Sequence, residues 1–427
     1  MYRRSLVTLS IVLAFCFGSL STSAEVLKIV VDDTIHPIVV EYIGRAIQEA
    51  ERTHADALLI EINTPGGLAS STREIVQEIL ASKVPVIVYV TPSGGYAASA
   101  GFYILESADV AAMSPGTNTG AAHPVRGDGG TMDPVMKDKV ENDAAALLRS
   151  YSGKRGRNSE VAETAVRQSK SFSADEALSN HLIEYIAKDE DELFKQLDGK
   201  TVTRFDDSKV VIHVAGKPVR FYPLTLRQQL LSWLLDPNIA SILFLIGLLA
   251  LYGEFNNPGM VLPGVVGFIC VLLALFAFHL LPTRYEAMIL ILGAFVLFGL
   301  EAKFQSHGVL GIGGAVMMVL GMLLLVGGPI PQMRVKLVTA LAVTLPIAAI
   351  TIFLMTIAIK ARRNKVVTGQ EALIGEIGVV EAPLTPAGKV FVHGELWDAV
   401  APTTIETGRN VVVRKVQDLK LYVEPQN

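Results

Sequence analysis

Apolar and polar positions follow two alternating periods in the first half of the chain. Short apolar runs at 26–31, 57–62 and 84–90 predict buried strands, and the segments between them carry apolar residues at helical spacing. Strands that alternate with helices of about ten to fifteen residues are typical of a parallel sheet built by right-handed crossovers. The pattern therefore predicts an α/β domain over residues 25–223.

The same patterning continues to the end of this domain. The predicted helices are 39–52, 70–81, a helix from Ser99 to about 108, 133–151, 159–168 and 190–197. The remaining predicted strands are 109–113, 183–186 and short strands within 201–222. Residues 224–236 place leucines and a tryptophan at helical spacing and predict an amphipathic helix at a membrane interface.

Long apolar runs dominate residues 237–361 and predict a transmembrane bundle of about five helices. The predicted spans are 239–254, 260–281, 286–301, 308–327 and 337–360. The first and third are short for a full span of about 20 residues, so they are expected to be tilted or partly re-entrant.

Two segments of the membrane region repeat one pattern. Glu254 and Glu301 each lie at a helix end and are followed by a glycine turn and a glycine-rich entry into the next helix. The repeat predicts a duplicated hairpin packed through small residues. A proton or ion path through the two carboxylates is a further hypothesis.

Residues 366–427 alternate apolar and polar positions between turn residues, and five short strands of this kind predict a small all-β, OB-like barrel. Only Phe391, Trp397 and Tyr422 offer an aromatic platform, and the segment is not basic. We therefore expect a protein-interaction or structural role for the barrel rather than nucleic-acid binding.

The N-terminus predicts a signal peptide at 1–24. Arg3 and Arg4 precede an apolar stretch at 6–20, and small residues lead to a cut before Glu25. The large Phe15 before Cys16 argues against a lipoprotein. The other cysteine lies in an apolar membrane run, so no disulfide is expected in the exported part.

Composition agrees with a membrane protein. Of 427 residues, 51% are hydrophobic and 18% are charged, and the formal net charge of -4 argues against a nucleic-acid partner. Cleavage of the signal and five spans predict an external first domain and a cytoplasmic C-terminus. A basic cluster after the last span agrees with this topology and consists of Lys360, Arg362, Arg363 and Lys365. Arg334 and Lys336, on the opposite side of the membrane, weaken this agreement.

Ser99 is the candidate nucleophile. It stands among small residues in the run 97–101, at the corner between an apolar strand and a helix. A second corner, 63–67, supplies glycine amides, and a nucleophile beside such amides is what acyl transfer requires. Small-residue clusters at turns also serve packing alone, so the residues leave both interpretations open.

Two residues are candidates for the base. Lys139 follows Ser99 by 40 positions, and a lysine serves as a base only where desolvation lowers its pKa. Lys137 lies roughly 200° round the same helix, so only one of the two lysines can face Ser99. His123 lies in a loop after the next strand and is the alternative base.

The chain resembles the NfeD family of membrane-bound serine proteases of the Clp class. The resemblance covers nearly the whole mature chain, in the family's order, and rests on these motifs: Asn63-Thr64-Pro65-Gly66-Gly67, Ala97-Ala98-Ser99-Ala100-Gly101, Met113-Ser114-Pro115-Gly116-Thr117, Lys139-Val140-Glu141-Asn142-Asp143, Arg155-Gly156-Arg157-Asn158 and Gly394-Glu395-Leu396-Trp397-Asp398-Ala399.

The resemblance implies a Clp/crotonase-like spiral for the first domain and a Ser–Lys dyad. Ser99 is the implied nucleophile, Lys139 the base, and the amides of Gly67 and Ala100 the oxyanion hole. It implies neither a cofactor nor a metal. A stomatin-like membrane protein is the implied substrate or partner, and a homo-oligomer in contact with membrane lipid is expected.

Three functions follow as hypotheses. The first is an endopeptidase of the cytoplasmic membrane that cuts apolar segments. The second is a non-catalytic adaptor that organises stomatin-like proteins through the barrel and the membrane helices. The third, a crotonase-like acyl-CoA enzyme, is disfavoured because CoA is cytoplasmic and the first domain is predicted to be exported.

Overall fold

The computed structural model describes residues 25–127, 130–256, 259, 261–304, 306, 308–328, 334–363 and 370–426. The predicted signal peptide and Lys365 of the basic cluster lie outside the described residues.

The first domain begins with strand–helix alternation, as predicted. Its strands are β1 (Val26–Val31), β2 (Ala57–Ile62), β3 (Val86–Val90), β4 (Tyr96–Ala98), β5 (Val110–Met113), β6 (Asn118–Gly120), β7 (Ser171–Ser173), β8 (Tyr185–Ile186), β9 (Thr201–Thr203), β10 (Lys209–Val211) and β11 (Val219–Phe221). Its helices are α1 (Pro37–Thr53), α2 (Ala69–Ala81), α3 (Ala100–Ser107), α4 (Pro134–Ser152), α5 (Ser159–Arg167), α6 (Ala174–Ser179), α7 (Glu190–Leu197) and α8 (Leu226–Leu234).

The main sheet has six strands in the order β11-β1-β2-β3-β5-β8, and every neighbouring pair is parallel. All five residues of β3 are buried, because helices cover both faces of a parallel sheet. The successive strand–crossover–strand units advance in one direction along this sheet. This is the arrangement predicted for a Clp/crotonase-like spiral.

A second sheet has three strands in the order β4-β6-β7. Its first strand, β4, ends immediately before Ser99, so this sheet forms the corner at Ser99. The prediction that the Ser99 helix directly follows the strand ending at Val90 is wrong, because a turn and β4 come between them. Gly94 and Gly95 form this turn: Gly94 has φ +86°, and the Gly95 amide donates to the Pro92 carbonyl at 2.8 Å. A three-residue strand is too short to show a hydrophobic period.

Five helices follow within the described part of 237–363, as predicted: α9 (Pro237–Asn256), α10 (Leu262–Leu280), α11 (Tyr285–Phe304), α12 (Val309–Leu325) and α13 (Leu337–Arg363). By length and composition, two stretches, Pro237–Phe255 and Leu262–Leu280, can cross a membrane, and Val309–Leu325 and Leu337–Phe353 are shorter apolar helices.

Glycines bring the paired helices of each repeated hairpin close together. A Cβ on Gly247 of α9 would lie 2.9 Å from the Gly267 carbonyl oxygen of α10, and one on Gly321 of α12 would lie 3.1 Å from the Ala287 carbonyl oxygen of α11. Only glycine allows backbones this near, as in other membrane helix pairs.

The two acidic residues of the repeat bind backbone amides. Glu254 accepts from the Gly259 amide at 3.2 Å, and Glu301 accepts from the Gly308 and Gly311 amides at 3.0 Å each. Gly308 and Gly311 lie at the start of α12, where a carboxylate that accepts from unpaired amides stabilises the helix, and Gly259 lies in the turn before α10. These contacts give both carboxylates a structural role at the hairpin turns.

The last segment is a closed barrel of five strands in the order β12-β13-β14-β16-β15. The strands are β12 (Ile377–Ala382), β13 (Ala387–Val392), β14 (Glu395–Val400), β15 (Asn410–Gln417) and β16 (Lys420–Pro425). Alternate residues such as Val390 and Val411 fill its core, which is the pattern a small barrel requires. The fold class predicted for the three segments is confirmed.

Candidate active site

Ser99 lies at the turn between β4 and α3 in a strained backbone conformation. Its φ of 52° and ψ of -112° place a non-glycine residue at positive φ, which costs free energy unless the surroundings impose it. The Ser99 amide donates to the Gly120 carbonyl of β6 at 2.8 Å, and the residue is half-buried. A serine on a strained strand-to-helix turn presents its hydroxyl at the top of a sheet.

The glycine corner packs directly against this serine. A Cβ on Gly66, which has φ +116°, would lie 2.7 Å from the Ser99 Cβ and 3.1 Å from its Oγ. The Gly66 amide donates to Thr64 Oγ1 at 3.2 Å, so it is already engaged. Its neighbour Gly67 has no acceptor for its amide among the described residues, which leaves this group available to a ligand.

Ala100 supplies the second candidate amide. It is the first residue of α3, and the first amides of a helix have no partner within the helix. The Ala100 nitrogen would lie 3.5 Å from a Cβ on Gly66, so this amide and the glycine corner meet at Ser99. The dipole of α3 adds to the attraction of an anion at this point.

Lys139 lies in the exposed N-terminal half of α4, and within the described part of the chain it has no hydrogen bond or ion pair. Residues four apart share a helix face, so Lys139 lies on the face of Asp143. Asp143 binds Arg73 of α2 at 2.6 Å, and α2 begins immediately after the glycine corner. Lys139 therefore lies on the face of α4 that contacts α2 through Asp143.

Lys137 lies on the other face of α4. It shares that face with Glu141, which lies 3.9 Å from His123 Nδ1 and 3.5 Å from Arg167 of α5. Because residues two apart point in nearly opposite directions on a helix, Lys137 lies away from the face that carries Lys139 and the Asp143–Arg73 ion pair. Among the described residues, no contact joins Ser99 to Lys137 or to Lys139.

His123 is held by α5. Its Nδ1 donates to the Val166 carbonyl at 2.9 Å, since a carbonyl can only accept. The amide of the neighbouring Ala122 donates to the Ala165 carbonyl at 2.8 Å. No contact between His123 and Ser99 occurs among the described residues. These bonds give His123 a structural role, because they hold its loop against α5 and beside α4.

Two arginines of the motif at 155–158, for which no role was predicted, hold the far end of α3. Arg157 is 5% exposed and donates to the carbonyls of Glu106 at 2.6 Å and Ala108 at 3.1 Å, while pairing with Glu184 at 2.8 Å. Arg155 donates to the Ser107 carbonyl at 3.1 Å. Cations at the C-terminal carbonyls of a helix stabilise it. The two arginines thereby fix α3, the helix that directly follows Ser99, and spacing along the chain does not reveal this contact.

Glu106 lies inside α3 with its side chain fully buried, and neither carboxyl oxygen has a hydrogen-bond partner among the described residues. Burial raises the pKa of Glu106 to about 8; the nearby Arg157 guanidinium opposes this shift and the Glu184 carboxylate adds to it. The carboxyl is therefore neutral below that pH.

The Glu106→Gln variant is expected to change how stability depends on pH. Between its ordinary pKa of 4.5 and about 8, the folded chain holds one more proton on Glu106 than the unfolded chain. Stability from this group therefore falls as pH rises through that window, by up to about 1.4 kcal/mol per pH unit. Thermal unfolding of the purified full-length protein at pH 5 and 8 should show a smaller loss in Glu106→Gln. The exposed Glu160→Gln serves as control, and equal losses in both would contradict the assignment.

Three family models match the chain in order. The NfeD1b N-terminal domain matches residues 25–203, the NfeD integral membrane domain matches 238–357, and the NfeD-like C-terminal, partner-binding domain matches 370–425.

A curated relative matches over nearly the same length. The membrane-bound protease PH1510 of Pyrococcus horikoshii is 35% identical over 394 residues, which cover 89% of this chain and 88% of the relative. Two solved structures of the 1510-N membrane-bound stomatin-specific protease are similar to the first half. The serine-to-alanine mutant is 33% identical and covers 48% of this chain and 99% of its own, with a TM-score of 0.45. The lysine-to-alanine mutant, in complex with a substrate peptide, is 32% identical and covers 49% of this chain and 97% of its own, with a TM-score of 0.46. The chain thus belongs to the NfeD family of membrane-bound proteases.

Proposed function

We propose that the chain is an endopeptidase that uses a Ser99–Lys139 dyad to cut apolar segments of stomatin-like membrane proteins. The observation that carries the proposal is the strained Ser99 turn packed on the Gly66–Gly67 corner. A hydroxyl and two unengaged amides at one point suit an acyl transfer with an oxyanion intermediate. The stomatin specificity of the 1510-N protease supports the choice of substrate.

The mechanism assigns each group one role. The neutral Lys139 amine accepts the proton as Ser99 Oγ attacks the carbonyl carbon, and the Gly67 and Ala100 amides hold the oxyanion. Lys139 then returns the proton to the departing amine, which leaves an acyl-serine. Water, deprotonated by Lys139, hydrolyses this ester and regenerates Ser99. Each amide contributes about 3–4 kcal/mol to the transition state.

The dyad requires that the exposed half of α4 be covered, because a lysine in water is a poor base at neutral pH. Val135 and Met136 on this half are 77% and 52% exposed, and their apolar surface fits burial against a second copy of the chain. This supports the expected homo-oligomer.

The second candidate is a membrane adaptor without catalysis. The match of 370–425 to a partner-binding domain favours it, as do three exposed apolar side chains that are neighbours across β12, β13 and β14: Val379, Phe391 and Leu396. Both candidates use the barrel to bind a stomatin-like protein, and only the endopeptidase needs Ser99.

Cleavage of an apolar fluorogenic peptide by the purified full-length protein separates the two candidates. Ser99→Ala should remove cleavage while thermal unfolding stays unchanged. The exposed Ser70 of α2 gives a matched control, since Ser70→Ala should cleave like the wild type. Equal cleavage by wild type and Ser99→Ala would rule out the proposed nucleophile.

We also propose that the first domain faces the outside and the barrel faces the cytoplasm. The predicted signal, the five helices α9–α13 and the basic residues at the end of α13 support this topology. The exposed apolar face of α8, with Leu226, Leu230 and Trp233, supports contact with lipid at the outer surface. Reporter fusions at residue 230 and at the C-terminus should report opposite sides, and a shared side would contradict an odd number of spans.

A further inference from the structure

A cavity of about 420 Å³ extends from the glycine corner to the ends of α9 and α10. Its walls combine residues that flank Gly66–Gly67 with apolar residues at or next to the ends of α8, α9 and α10: Pro65, Leu68, Trp233, Leu235, Ile239 and Leu281. The volume falls within the range of about 300–1,000 Å³ typical of ligand sites. One end thus meets the catalytic corner and the other meets the membrane-spanning segment.

The inner wall of the cavity is hydrogen-bonded to the glycine corner. The Ile35 amide donates to the Gly66 carbonyl at 2.8 Å, and the Leu68 amide donates to the Ile35 carbonyl at 2.8 Å. Asp33 and His36, on either side of Ile35, line the cavity. A group that fills the cavity therefore touches the segment that positions the Gly67 amide.

Helix α8 is fixed as the outer wall. Ser232 Oγ donates to Asp33 Oδ2 at 3.0 Å, and the fully buried Gln228 accepts from Arg45 of α1 at 2.7 Å. These bonds hold Trp233 at the mouth of the cavity. Trp233 is 64% exposed, so much of its ring is free to meet a ligand.

We infer that this cavity binds the apolar residues of a substrate peptide that lie between the bilayer and the bond to be cut. The inference rests on the proposed function and adds a binding site to it. The apolar walls near α9 and α10 suit hydrophobic side chains leaving the membrane. The inner end offers the carboxylates of Asp32 and Asp33, which accept from the N–H groups of a peptide. A lipid acyl chain has no such donor, which favours a peptide.

Peptide binding to the full-length Ser99→Ala protein tests this site without requiring cleavage. The probes are three fluorescent peptides. One is a short apolar peptide, the second carries added Leu and Ile residues at its N-terminus, and the third carries them at its C-terminus. Fluorescence anisotropy should show that one lengthened peptide binds about tenfold more tightly than the short one. Trp233→Ala, which removes a wall, and Ile239→Trp, which fills the cavity, should both lose this gain.

Leu230→Ala is the matched control. Leu230 is 53% exposed on the same helix and does not line the cavity, so its loss alters only the contact of α8 with lipid. The gain should survive in this variant. The inference would be overturned if neither extension increased the affinity. It would also be overturned if all the variants kept the same gain in affinity, or if Leu230→Ala lost the gain as the cavity variants do. If the wild type binds as expected and cuts nothing, the proposed function fails and the binding site stands.

Discussion

Lys139→Ala is expected to abolish peptide cleavage as completely as Ser99→Ala. In the proposed dyad the two residues act as a unit, because a serine hydroxyl is a weak nucleophile until a base accepts its proton. Loss of either member should lower kcat on the apolar peptide by about 10³-fold or more. The measurement is steady-state cleavage by the purified full-length protein, with thermal unfolding as the check on folding.

Lys137→Ala and His123→Ala are the controls for this prediction. Lys137 lies on the opposite face of α4, so Lys137→Ala should cleave almost like the wild type. His123 fixes its loop through the Val166 carbonyl, so His123→Ala should lose part of the activity. A folded, inactive His123→Ala beside an active Lys139→Ala would transfer the role of base to histidine.

Gly66→Ala is expected to have the next largest effect. The added Cβ would lie 2.7 Å from the Ser99 Cβ and 3.1 Å from the nucleophilic oxygen, so the serine must move. A displacement of about 1 Å at a reacting group can lower the rate about 100-fold. We expect a loss of that size in kcat.

Gly94→Ala separates this contact from backbone strain. Gly94 also has positive φ, +86°, but a Cβ there meets no atom within 4 Å. Backbone strain should cost both variants about 1 kcal/mol of stability, Gly66→Ala should lose more because its Cβ also meets Ser99, and only Gly66→Ala should lose activity. Equal activity in the two variants would show that the glycine corner does not constrain Ser99.

Long periodic patterns were predictable from the sequence. The strands of the main sheet, helices such as α1 and α4, the helices α9–α13 and the barrel all have apolar residues at spacings that repeat over several turns or strands. The repeat at Glu254 and Glu301 was also predictable, because close helix packing requires glycines and these glycines recur at similar positions in both segments of the sequence.

Features made by contacts between distant residues were not predictable. Strand β4 has three residues and no period, and the capping of α3 by Arg155 and Arg157 joins segments about 50 positions apart. The burial of the Glu106 carboxyl depends on what surrounds it in three dimensions, and the cavity requires five separate segments of the chain to meet. The motifs pointed to Ser99 and the glycine corner, whereas the choice of Lys139 over His123 as the base rests on the resemblance to the NfeD family and stays a prediction.

Covalent labelling tests the central claim, that Ser99 is the nucleophile, most directly. The full-length protein is treated with a fluorophosphonate that bears an apolar group, and the modified peptide is identified by mass spectrometry. We expect a single adduct on Ser99. The fraction of protein labelled should rise in step with the loss of cleavage, and no adduct should form in Ser99→Ala. We also expect much slower labelling in Lys139→Ala, since the base is missing. An adduct on another serine that parallels the loss of activity, with Ser99 unmodified, would contradict the account.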